Sequence, residues 1–193
     1  MTRTARTCLA LALLAPLALA GAGFARALGR RPAPASTSTD ADRGAIYVWI
    51  QPHADLDGWR PDDVAQVERA FSAWNGIVPA VHFYFTDDSA DAPVHVGWRE
   101  RFDEPMTGRA RVVRDASGRV IDASVTLAVR HPDGRPVTGD AMRALAMHEV
   151  GHLLGLAHTT DPRSIMSPVV HVRALSPGDS AALRASFDAE GRE

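Results

Sequence analysis

The chain has 193 residues, 46% of them hydrophobic, which is enough to bury one core and too little for several domains. Its formal net charge is −2, and its 21 basic residues are all Arg, scattered along the sequence, which excludes a nucleic-acid-binding patch. The single cysteine, Cys8, excludes a disulfide framework.

Residues 1–27 read as a signal peptide. Arg3 and Arg6 precede the apolar run Leu9 to Ala20, and Ala25-Arg26-Ala27 has a small-x-small cleavage pattern; cleavage after Ala20 is a second option. Pro16 interrupts the run, which is too short for a membrane span, so no stable anchor is expected after cleavage. Export is therefore expected, to the periplasm or the outside. The remaining chain would carry no cysteine and 18 Arg against 23 acidic residues. Residues 28–42, including RPAPASTSTDAD, read as a flexible linker.

A single domain is expected over 43–193. Ile46 to Ile50 is a strand, followed by the turn-rich QPHADLDG. Pro61 starts a helix running to about Asn75, with Val64, Val67, Phe71 and Trp74 as its core stripe. Val81 to Phe85 and Val94 to Trp98 are strands. Arg109 to Arg114 and Val120 to Val129 flank the turn Asp115-Ala116-Ser117-Gly118. Asp140 is the expected cap of the next helix. Ser176-Pro177-Gly178-Asp179 opens a last helix as a capping box, with Leu183 and Phe187 inward.

The chemistry sits in HEVGHLLGLAH, residues 148–158. Residues four apart share a helix face, so His148 and His152 aim their rings at one point. A third ligand on the same helix would point away. Gly155 tolerates the left-handed helix end that lets the chain turn, and His158 returns to the same point. Three imidazoles close three corners of a tetrahedral zinc site and leave one for water. Glu149 stands beside them, positioned to take a proton from that water. Ala146, Met147, Val150, Leu153 and Leu154 form the core face of this helix. His53, His82, His95, His131 and His171 have no ligand spacing and read as surface or core. Asp87, Asp88 and Asp91 lack the pattern of a calcium loop, so calcium has no support and a solvated loop is expected.

This run and Met166, in SIMSP, together resemble the metzincin zinc peptidases, with the helix motif followed by a Met-turn. Thr159 after the third His, and Pro168 where a ligand Tyr stands in astacin-like chains, place the resemblance with the matrixin branch in its short bacterial form. It covers roughly residues 43–188, of which 148–168 is the specific part. The resemblance implies an α+β zincin fold: a twisted mixed five-stranded sheet, three helices, and a cleft between the zinc helix and an edge strand. It implies one catalytic Zn2+ and hydrolysis of a protein or peptide substrate by a monomer. It places Met166 beneath the site as a non-ligand and makes Asp179 the tie between the last helix and the Met-turn. Matrixins often hold a structural zinc with a His-x-Asp run; none is found here, so that site is expected to be absent, and no cysteine remains to act as a latency switch.

The resemblance also sets the expected substrate contacts. The edge strand Arg109 to Val113 should pair with an extended substrate, bringing Arg109, Ala110 and Arg111 to it. Leu145 and His148 on one side and Pro168, Val169 and Val170 on the other should wall an apolar pocket. An inactive zinc- and peptide-binding module is the alternative, disfavoured by the intact Glu149; processing of propeptides within an export system is another.

Overall fold

The computed structural model of the chain describes residues 44–189. The signal-peptide and linker expectations for 1–42 lie outside these residues. Five strands and three α-helices follow in the order strand, helix, four strands, two helices. The strands are β1 (Ala45–Ile50), β2 (His82–Phe85), β3 (Val94–Arg99), β4 (Gly108–Arg114) and β5 (Val120–Ala128). The helices are α1 (Asp62–Ser72), α2 (Gly139–Leu153) and α3 (Pro177–Ala189). The strands form one sheet in the order β2-β1-β3-β5-β4. All neighbours pair in parallel except β4, which runs antiparallel to β5 and has an open outer edge. This is the mixed α+β sheet that the resemblance implies.

Strand alternation explains which face is covered. Val48, Ile50, Val94, Val96, Val125 and Leu127 point to one side and are buried with α1 and α2 in a single core. The alternate residues Tyr47, Trp49, His95, Ser124 and Arg111 are less buried or exposed. Removing the apolar side from water supplies the stabilisation, at roughly 25 cal/mol per Å2 of apolar surface.

α1 differs from its expected form in two ways. It ends at Ser72, because the chain turns at Gly76 (φ +73°) and the Asn75 side chain is used by β2 instead. The Phe83 amide donates to Asn75 Oδ1 at 2.8 Å, and Asn75 Nδ2 donates to the Phe83 carbonyl. Its core stripe holds Val67, Phe71 and Trp74 as expected, but Val64 is only half-buried and Ala70 is fully buried. Trp74 donates its indole N–H to the Met147 carbonyl at 3.1 Å, fastening α1 to α2. A buried acid adds a second fastening. Asp63 pairs with Arg60 at 2.9 Å, and Arg60 also donates to the Val137 carbonyl just before α2.

α2 is apolar on nearly every side, as a helix sandwiched by α1 and the sheet must be. Asp140 does not cap it. Thr138 holds the N-cap position without a side-chain cap bond, and Asp140 lies one residue inside the helix, paired with Arg143 at 3.3 Å. An acid there still complements the helix dipole. At α3 the capping box is reciprocal: the Ser176 amide donates to Asp179 Oδ2 at 2.7 Å and the Asp179 amide donates to Ser176 Oγ at 3.1 Å. Leu183 and Phe187 are buried, as expected.

Candidate metal centre

α2 brings His148 and His152 one turn apart on the side facing the cleft. The helix stops where Gly155 takes φ +100°, a conformation that L side chains rarely adopt. The Leu156 amide then donates back to the Gly151 carbonyl at 2.9 Å and the Gly155 amide to the His152 carbonyl at 3.0 Å. This reversal returns His158 to the two helix imidazoles. The three Nε2 atoms form a near-equilateral triangle, with edges of 3.1, 3.1 and 3.2 Å.

The tautomers follow from the other ring nitrogens. His148 Nδ1 lies 2.7 Å from the Ile165 carbonyl and His152 Nδ1 lies 2.8 Å from the Leu156 carbonyl. A carbonyl only accepts, so both Nδ1 atoms carry the proton and both Nε2 atoms present bare lone pairs. Burial pushes the His148 pKa down to about 4, with His152 and His158 adding repulsion, and burial lowers His152 as well. Neutral imidazoles with lone pairs converging on one point repel unless a cation stands among them. Tetrahedral ligands about 2.0–2.1 Å from zinc stand roughly 3.3–3.4 Å apart, so the triangle fits that ion. It is the group of three or more metal-binding side chains found among the described residues.

Glu149 lies beside the triangle and is 4% exposed. Burial raises its pKa to about 7, partly offset by a hydrogen bond from the Ala110 amide of β4. Gly108, at the start of β4, makes room for it: a Cβ there would overlap the Glu149 carboxylate. Gly151 does the same for Met166, since a Cβ on Gly151 would overlap Met166 Sδ. Neither glycine was singled out from the sequence. Each serves a contact between segments far apart in the chain, and local pattern carries no signal for that.

Met166 is 3% exposed, packed against Gly151 of α2, and its carbonyl accepts from the Thr159 amide at 3.0 Å. The turn that holds it is fixed by Asp179. This buried carboxylate accepts from Ser164 Oγ, from the Ile165 amide at 3.2 Å and from Ser176 Oγ at 2.8 Å. These bonds hold its pKa below the usual carboxylate range against the opposing effect of burial. Ile165 in turn offers its carbonyl to His148. One acid on α3 therefore sets the orientation of one imidazole in the triangle.

A cleft of about 880 Å3 runs past these groups, lined by β4 residues on one side and by α2 and the segment after Met166 on the other. Arg109, Ala110, Leu145, Pro168, Val169 and Val170 all line it. Arg111 does not. Its side chain lies on the outer face of the sheet with Arg99 and Ser124, because successive strand residues point to opposite faces and Ala110 takes the inner one. Arg135 and Arg173 do line the cleft, unforeseen because they sit on irregular segments. The other histidines stand apart from the triangle: His95 contacts the Ser89 carbonyl, His53 meets the Trp59 ring edge-on, and His82 stacks on Tyr84. Asp88 accepts from the Ala90 amide in a short 3-10 turn at Ser89–Asp91.

Comparison with known proteins bears on the same residues. A peptidase family model described as Matrixin matches residues 50–185. Metalloendoproteinase 1-MMP of Arabidopsis thaliana is 31% identical over 142 residues, covering 68% of this chain and 39% of that protein. Metalloendoproteinase 4-MMP of the same plant is 29% identical, covering 59% of this chain and 36% of its own length. Matrilysin of Felis catus is 40% identical over 83 residues, covering 40% of this chain and 31% of its own length. The chain spans between about a third and two fifths of the length of these relatives. The family model takes in β3 to β5, the histidine helix and the Met-turn, so the chain belongs to the matrixin family.

Proposed function

We propose that the chain is an exported, zinc-dependent endopeptidase. The observation that carries this reading is the triangle of Nε2 atoms with a buried carboxylate beside it. His148, His152 and His158 are the residues that would hold the ion. When bound there, zinc supplies Lewis acidity: it lowers the pKa of a water towards neutrality and polarises a carbonyl.

The chain's own residues then have distinct tasks. Glu149 takes the proton of the attacking water and later delivers it to the leaving amine. A pKa near 7 suits a group that must both accept and release a proton near neutral pH. The Ala110 amide fixes the carboxylate, and Gly108 leaves it space. The Ile165 and Leu156 carbonyls hold the two helix imidazoles in the tautomer that leaves Nε2 free. The alternative, an inactive binding module, gives no reason for a buried glutamate with a dedicated amide and a dedicated glycine.

The open edge of β4 is the proposed docking line for an extended peptide, by backbone pairing. Selectivity then comes from the pocket between Leu145 and the Pro168 to Val170 segment. Export rests on the N-terminal leader; no helix among the described residues is long and apolar enough to cross a membrane. A monomer holding one catalytic zinc, without a second structural zinc, completes the proposal.

Replacing Glu149 with Gln should lower kcat on an unfolded protein substrate by about 10²–10⁴-fold. A chelator should abolish the wild-type activity. Cleavage by Glu149→Gln at near wild-type rate, or chelator-insensitive cleavage, contradicts the proposal.

A second prediction concerns the metal-free protein. The folded-state pKa of Glu149 is raised above its model value of 4.5 to about 7, so the folded state holds the proton more tightly. That contribution is present below the unfolded value and is lost as pH rises through about 7. Glu149→Gln removes the loss. Its stability relative to the metal-free wild type should therefore increase by about 2–3 kcal/mol between pH 5 and pH 8, measured by denaturant unfolding. A difference that does not grow with pH contradicts the buried-carboxylate reading.

Profiling on a peptide library should show a preference for a hydrophobic residue just after the scissile bond. The preference should be modest, because apolar pockets discriminate by about 1–3 kcal/mol per methylene. A profile that demands Asp or Glu there would show that Arg135 or Arg173, not the apolar wall, decides.

A further inference from the structure

The face of the sheet turned away from α1 and α2 carries a second depression, of about 220 Å3, lined by Arg99, Phe102, Arg109, Arg111, Ser124 and Thr126. The strand register explains how these residues meet. On β4 and β5, Arg109 stands opposite Thr126 and Arg111 opposite Ser124. On β3, Gly97 stands opposite Thr126 and Arg99 opposite Ala128. Gly97 has no side chain to fill the floor, so the hydroxyls of β5 remain accessible between arginines from two flanking strands.

The charge in this depression is only partly offset. Arg109 pairs with Glu104 at 3.2 Å, and the same exposed carboxylate also feels Arg99, but it is not among the lining groups. Arg99 lies over the Phe102 ring at 4.5 Å and Arg109 over the same ring at 5.3 Å. Phe102 is 3% exposed, so it props both guanidinium groups from the inside. The Nε of Arg99 is buried and has no hydrogen-bond partner. Like charges gathered on one face of the sheet repel one another and oppose folding. A buried donor without a partner opposes it too. In a chain of net negative charge, three arginines and two hydroxyls converging on a small depression are arranged for something that is missing from the chain itself.

We infer that this depression is a binding site for a tetrahedral oxyanion, phosphate or sulfate, free or as a monoester. Guanidinium groups donate in a planar fork that matches two oxygens of such an anion, and Ser and Thr hydroxyls donate to the others. Two negative charges suit three guanidiniums better than the single charge of a carboxylate. Arg109 lines both this depression and the cleft, so the two share a wall. The inference does not depend on the chain being a peptidase.

The test is a titration of the zinc-loaded full chain with sodium sulfate and sodium phosphate, read as melting temperature at constant ionic strength, with acetate as control. The site predicts a saturable rise with sulfate and phosphate and none with acetate. Arg111→Gln should weaken the apparent affinity by about tenfold or more, since it removes a charged hydrogen bond. Arg111 is exposed and makes no ion pair among the described residues, so this variant should fold as the wild type does. Ser124→Ala should weaken binding to a smaller degree. Phenyl phosphate separates the sources: binding as tight as that of inorganic phosphate assigns the site to an esterified group, and loss of binding assigns it to the free ion. An unsaturable rise, equal in wild type and Arg111→Gln, is the general salting effect of these anions. That result, or a response to acetate equal to that to sulfate, overturns the inference.

Discussion

Three imidazole Nε2 atoms converging on one spot are the constraint on which the rest of this structure depends. Left to themselves, the rings would turn apart. Two of them are locked by carbonyls at their opposite nitrogens, and burial lowers the proton affinity of both. A divalent cation is what such an arrangement accommodates, and the free energy of binding it becomes folding free energy for a chain whose described part holds no disulfide.

The structure reads as a series of supports for that one spot. α2 turns His148, His152 and Glu149 to the cleft because its other sides are buried against α1 and the sheet, which fixes its rotation. Gly155 supplies the reversal. Asp179 reaches across from α3 and holds the Met-turn, and the Met-turn presents the carbonyl that orients His148. β4 contributes from the opposite bank, through the Ala110 amide and the space at Gly108. The supports act through the Asp179 carboxylate, through backbone groups and through the absence of side chains at Gly108 and Gly155, so small displacements at a distance are transmitted to the histidines.

How much of this is legible in the sequence depends on the range of the interaction. The spacing of His148, His152 and His158 with Gly155 is local: helix geometry brings the first two rings together and the reversal at Gly155 returns the third. The alternating strands and the Ser176–Asp179 cap are local too. The end of α1 is not legible because the side chain of Asn75 binds β2, a tertiary contact, and the helical spacing alone does not show that Val64 is only half-buried. Asp140 reads as a cap because an acid before an apolar run is the usual sign, yet the cap position falls two residues earlier, at Thr138. Arg111 belongs to the edge strand expected to pair with substrate, but its side chain does not line the cleft. The parity of the strand, with Ala110 inward, sends it to the other face. Gly108 and Gly151 were invisible because their partners, Glu149 and Met166, lie on other segments.

The most direct test of the central claim is X-ray absorption at the zinc edge of the purified protein. Three imidazole nitrogens and one light ligand from solvent, at about 2.0–2.1 Å, are expected, with His158→Ala losing one imidazole and most of the bound metal. A spectrum showing fewer than three imidazoles in the wild type, or one unchanged by His158→Ala, would contradict it.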